Sequence, residues 1–308
     1  MPFTLLHSFV LLAFAVSGFA SAEDCAPPAI VLNALDRDGG VASGLRPTDL
    51  SIEAGGKPIP IKSITLDRNP RRVLLMLDTS GSMSAGSKRN PWGMTLATAS
   101  FAVDAIPDSS TAALAIFARD VRRESPDFES RDAMAQRVLS LQARAPSGQT
   151  ALYRSLERVL DDSAELRFGD VIYLVTDGGN NEGNATRSDA ARKLVARGIR
   201  VFVFLVESDL PFLTPEEIDG QSEIQGLAES TGGALIKISS AQLTQSQREP
   251  LRRLGRQVAD EAAAFYRLDL GTSPPRKPTR VKAKIIDPER SRNIQTITYS
   301  HEILACGH

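Results

Sequence analysis

Asp78-Thr79-Ser80-Gly81-Ser82 places a carboxylate and two serine hydroxyls on one short stretch. Such oxygens suit a hard cation, and Gly81 frees the backbone to turn so that both hydroxyls converge. Mg²⁺ takes near-octahedral oxygen coordination and keeps several waters, so a sparse set of hydroxyls and carboxylates is enough for it. Two further segments carry the same chemistry. Gly148-Gln149-Thr150 supplies another hydroxyl, and Thr176-Asp177-Gly178-Gly179 a second carboxylate. Taken singly, each has a plainer reading as a helix cap or a turn. Other chemistries are excluded by count. His7, His301 and His308 are the only histidines, all near the chain ends, and two cysteines cannot build an all-cysteine zinc site. With 36 Lys+Arg against 37 Asp+Glu, the net charge of -1 argues against a general nucleic-acid binder.

These segments need elements to hold them together. Val73–Leu77 is a continuous apolar run directly before Asp78, as expected of a strand buried on both faces. Ala112–Phe117, Val171–Val175, Val201–Val206 and Ala234–Ile238 repeat the pattern. Helical patterns lie between them, over Thr95–Ile106, Asp132–Leu141, Ala151–Leu160 and Ser188–Arg197, the last bounded by Ser188 and Gly198 as caps. The alternation predicts an α/β fold with a doubly wound, mostly parallel sheet. In such a sheet ligands bind at the carboxyl ends of the strands, where the three polar segments fall. Residues 28–69 and 266–299 instead show short β-branched runs between Gly, Asp and Pro clusters. They predict a small β domain built from both chain ends. A helix over 241–265, with Leu251, Leu254, Val258, Ala262 and Phe265 at helical spacing, connects the two parts.

The strand followed by Asp-x-Ser-Gly-Ser at 78–82, Thr150 within Gly-x-Thr-Ala-Leu, and the Thr-Asp-Gly at 176–178 resemble the von Willebrand factor A domain family. The resemblance covers about 70–240. The flanks, Val41–Leu45 before Thr48-Asp49-Leu50 and the late Tyr266-Arg267-Leu268, are similar to a bacterial secreted subgroup first named from acidobacteria. The resemblance implies a Rossmann-like fold and a metal-ion-dependent adhesion site. By position, Ser80, Ser82 and Thr150 match its hydroxyl ligands, and Asp78 and Asp177 its carboxylates, which often act through water. Mg²⁺ or Mn²⁺ is the implied cofactor. The implied function is non-enzymatic capture of an Asp or Glu carboxylate on a protein partner. Trp92 and Asn180, each close in sequence to a metal-site segment, are candidate partner contacts, with packing at the start of the following helix as the default reading of Trp92. The alternatives are a structural envelope component without metal-bridged binding, and a metal-dependent hydrolase. The second needs a base, and both nearby carboxylates are engaged in holding the cation or its waters.

Residues 1–22 contain no Lys, Arg, Asp or Glu; the apolar run Phe9–Val16 leads into Ala20-Ser21-Ala22. This pattern predicts a signal peptide cleaved after Ala22 and a secreted or periplasmic protein. No later stretch is apolar for long enough to span a membrane. In an oxidising compartment Cys25 and Cys306 most simply pair with each other. The expected layout is a leader over 1–22, β-domain pieces over 23–70 and 266–308, the metal-site domain over 71–240 and the connecting helix over 241–265. Between residues 248 and 292 Arg and Lys outnumber Asp and Glu two to one. A solvated face is the default for such a run, with an anionic-partner surface second.

Overall fold

The computed structural model describes residues 28–84, 90–207, 215–239 and 248–305. The expected leader, Cys25 and Cys306 lie outside these residues. β1 (Ala29–Asp36), β2 (Leu50–Ala54), β3 (Lys57–Ile59) and β4 (Ile61–Asp67) precede the run that ends in the site, β5 (Arg72–Asp78). There follow β6 (Thr111–Phe117), β7 (Val121–Arg123), β8 (Val171–Thr176), β9 (Arg200–Val206) and β10 (Leu235–Ile238). The main sheet runs β10-β9-β8-β5-β6-β7, parallel except for the edge strand β7. β5 lies between β6 and β8, so the chain leaves it in one direction and later returns on its other side. That reversal opens a crevice at the carboxyl end of β5.

The apolar run is continuous because both faces are covered. Val73, Leu75 and Leu77 pack under α1 (Pro91–Asp104), α2 (Arg131–Ser140) and α6 (Arg248–Ala263). Leu74 and Met76 pack on the opposite side, under α3 (Leu152–Asp161), α4 (Arg187–Ala196) and α5 (Pro215–Ser230). This is the expected doubly wound α/β class.

The expected second β region is a pair of antiparallel sheets. One has the order β13 (Ile294–Tyr299), β1, β11 (Phe265–Leu270), β4; the other β14 (Glu302–Ile303), β12 (Thr279–Ile285), β2, β3. Ile30, Leu32, Ile52, Leu268 and Val281 share one core between them. Both sheets join early strands to late ones.

The start of α1, the cap of α4 and the end of α6 differ from the sequence expectation in ways that bear on packing. α1 starts at Pro91, capped by Asn90, whose side chain accepts from the Gly93 amide, so Trp92 belongs to the helix rather than to the preceding loop. α4 is capped by Thr186 and not Ser188, in a reciprocal box with Asp189. α6 ends at Ala263, and Phe265 opens β11 instead of continuing the helical face. Two arginines bind the last carbonyls of α6. Arg200, fully buried, donates to the Glu261 carbonyl (2.9 Å) and the Ala262 carbonyl, and also to Asn33 Oδ1 (3.1 Å) and the Gly169 carbonyl (3.0 Å). Arg71 donates from Nε to the Ala263 carbonyl (3.3 Å). Cations at a helix C-terminus offset the partial negative charge of its unpaired carbonyls.

Candidate metal centre

Asp78 is the last residue of β5 and is wholly buried. Its Oδ1 accepts from the Ser80 amide (2.9 Å) and its Oδ2 from the Thr176 hydroxyl (2.7 Å). Thr176 ends the adjacent parallel strand β8, and its Oγ1 also accepts from the Gly178 amide (3.1 Å). The ends of two central strands are thus tied across the crevice. Burial, and next the charge of Asp177, push the Asp78 carboxyl up to about 7. A carboxylate held in this way is destabilised until something positive faces it.

A short 3-10 turn, Gly81–Met83, carries the serines. Ser80 is buried and Ser82 exposed, with their Oγ atoms 3.1 Å apart. The loop is fastened on both sides. The Thr79 amide and hydroxyl donate to the Phe117 carbonyl (2.7 and 2.9 Å), the Gly81 amide donates to the Gly148 carbonyl (2.8 Å), and the Ser147 amide to the Thr79 carbonyl (2.8 Å). A Cβ on Gly81 would stand 3.3 Å from the Gly148 carbonyl oxygen, so the glycine permits this close approach.

Thr150, 2% exposed, lies just before α3. Asp177 follows β8, with its Oδ1 accepting from the Gly179 amide (3.1 Å). A Cβ on Gly179 would lie 3.3 Å from Asp177 Oδ1 and 3.9 Å from Thr150 Oγ1, so these two oxygens flank one spot that glycine leaves open. The donor set is hydroxyls and carboxylates, which fits Mg²⁺ or Mn²⁺ and not a soft metal.

The two candidate partner contacts fare differently. Trp92 is 4% exposed and belongs to the core beneath α1, which leaves little of it for a partner. Asn180 is exposed at the rim, and its Oδ1 accepts from the Tyr153 amide (3.4 Å). Thr176, quoted in the sequence only as part of the Thr-Asp-Gly motif, and Asn181, to which the sequence reading gave no role, are part of the site's framework. Thr176 had a signal, as the one hydroxyl closing an apolar strand; Asn181 had none.

Residues 73–180 match the family model described as von Willebrand factor type A domain. No curated protein matches the chain. Among solved structures, the chain is similar to a conserved hypothetical protein BatB from Bacteroides thetaiotaomicron, at 17% identity and a TM-score of 0.45, over 62% of this chain and 98% of that one. It is similar to a von Willebrand factor type A protein from Catenulispora acidiphila at 14% identity and a TM-score of 0.47, over 91% and 73%. A manganese-loaded TRAP protein of Plasmodium vivax matches at 13% identity and a TM-score of 0.44, over 79% and 97%.

Proposed function

We propose that this chain is a non-enzymatic binding module, because residues 73–180 match the family model described as von Willebrand factor type A domain, a family that commonly mediates metal-dependent protein interactions. It holds Mg²⁺ or Mn²⁺ through Ser80, Ser82 and Thr150, with Asp78 and Asp177 as the carboxylates, and captures an Asp or Glu carboxylate of a protein partner. The observation that carries the reading is the convergence of three loops at the strand ends, around a buried carboxylate that lacks a cationic partner among the described residues. The ion supplies an exposed positive charge that prefers an acidic group over Lys or Arg. The protein supplies the geometry: Thr176 and the Ser80 amide fix Asp78, and the Gly81–Gly148 bond fixes the serine turn.

The binding reading is preferred to hydrolysis because both carboxylates are assigned to the cation. Asp78 accepts from the Ser80 amide and the Thr176 hydroxyl, Asp177 Oδ1 accepts from the Gly179 amide, and no third acid is among the assigned site residues to serve as the base. Export rests on the leader at 1–22; among the described residues no helix is long and apolar enough to cross a membrane.

Calorimetric titration with Mg²⁺ and Mn²⁺ tests the cation. Wild type should bind, and Asp78→Ala should lose binding while keeping a cooperative melt. Capture of an acidic partner from envelope extract should fail in EDTA and return with Mg²⁺. Equal Mg²⁺ affinity in Asp78→Ala, or capture unchanged by EDTA, would refute the reading.

A further inference from the structure

Helix α3 begins without a capping side chain of its own, since Ala151 stands at its N-cap. Ala and other apolar residues are poor there, because the first amides of a helix have no intrahelical acceptor. The loop after Asp177 supplies an acceptor to one first-turn amide and binds the residue before the cap, Thr150, as well. The Thr150 amide donates to Asn181 Oδ1 (2.8 Å), while the Thr150 carbonyl accepts from the amides of Asn181 (2.9 Å) and Glu182 (3.0 Å). Asn180 Oδ1 reaches the Tyr153 amide at 3.4 Å. Asn181 therefore grips Thr150 on both sides, by side chain and by backbone. Thr150 and the loop that follows Asp177 cannot separate without breaking these bonds, which connect residues 31 positions apart in sequence.

We propose that Asn181 is a positioning residue: it holds the Thr150 hydroxyl against the Asp177 loop and thereby sets the affinity of the site for Mg²⁺. This rests on the cation reading given above. Asn181 acts on the cation only through Thr150. Groups that orient metal ligands in this manner alter affinity by about 10–100-fold when removed. The hydrogen bond itself is one of many in the fold, so its loss should be felt far more in cation affinity than in stability.

The test uses the full mature chain with Mg²⁺ alone as the probe. Calorimetry measures affinity, and amide exchange of Thr150 is followed in the metal-free protein. Asn181→Ala should weaken Mg²⁺ binding about 10-fold or more, speed exchange at Thr150, and leave the cooperative melt nearly unmoved. Asn181→Asp keeps an acceptor oxygen and should restore both affinity and protection. An added negative charge acting by itself would restore affinity without protection, and that result would overturn the proposal. Should Asn181→Ala fail to fold, Asn181→Ser, polar but too short to reach the Thr150 amide, gives the same comparison. If Asn181→Ala binds as tightly as wild type while Asp78→Ala does not bind, the positioning role falls and the cation reading stands. If wild type binds no Mg²⁺, both fall together.

Discussion

Asp78 makes the protein's stability depend on pH in a direction opposite to that of an ordinary paired carboxylate. Burial and Asp177 raise it to about 7 in the metal-free chain, against 3.8 for an unperturbed Asp. Between those values the folded state binds the proton and the unfolded state does not, so this group's contribution to stability falls as pH rises from about 4 to about 7. Melting in EDTA across that window should show a decline that Asp78→Asn lacks; parallel curves would contradict it. The proton also competes with the cation, so Mg²⁺ affinity should strengthen as pH rises through about 7. At this scale the sequence was informative where chemistry is local. Asp78, Ser80 and Ser82 stand together after an apolar run, and Thr150, two residues after Gly148, and Asp177, directly before Gly178, each sit at a predicted element boundary. Asn90 and Pro91 start α1 earlier than its apolar pattern does, which carries the Trp92 indole into the core, in line with the reading of Trp92 as packing at the helix start. Asn181 was illegible because its partner, the Thr150 amide, is distant in sequence.

Elements were legible in proportion to how completely they are buried. β5, β6, β8 and β9 read directly as apolar runs, since helices cover both faces. β7 carries Val121-Arg122-Arg123 at the sheet edge and shows no pattern from which to read it. The end of α6 was missed for another reason: its carbonyls are bound by Arg71 and Arg200, which lie far away in the chain. The excess of basic residues toward the C-terminus is divided among surfaces rather than gathered. On β12, Arg280 pairs in register with Glu302 and Lys282 with Glu53, which fits a solvated face better than a surface for an anionic partner. The cap of α4 offers a direct check of element energetics. Thr186 accepts from the Asp189 amide, and its own amide and hydroxyl donate back to the Asp189 carboxylate. Thr186→Ala should cost about 1 kcal/mol in denaturant unfolding, with Mg²⁺ affinity unchanged.

At the scale of the molecule, one guanidinium joins the two halves of the structure. Arg200 opens β9 in the main sheet and reaches Asn33 on β1, the end of α6 and Gly169, while its plane lies against the rings of Phe202 and Phe265. Burial, with Arg71 nearby, lowers it to about 9, so it stays charged at neutral pH. Arg200→Met would strand four acceptors at the seam, and a loss of about 3–5 kcal/mol is expected in denaturant unfolding. A loss under about 1 kcal/mol would mean that water replaces the guanidinium there.

The pairing of β1 with β11 and β13, and of β2 with β12, also bears on how the chain is made. A ribosome releases β1, β2 and β4 long before β11, β12 and β13 exist, although β2 can already pair with β3. The residues between β4 and β11 take on the order of ten to forty seconds to synthesise at bacterial rates. During that interval the main sheet can close around β5, while the early strands wait with unsatisfied edges. Those edges are open to wrong pairing with neighbouring chains. Completion of the β sandwich is thus deferred to the last part of translation. A chain cut short before β11 would carry the loops at the end of β5 beside β1 and β4 strands that have nothing to pair with.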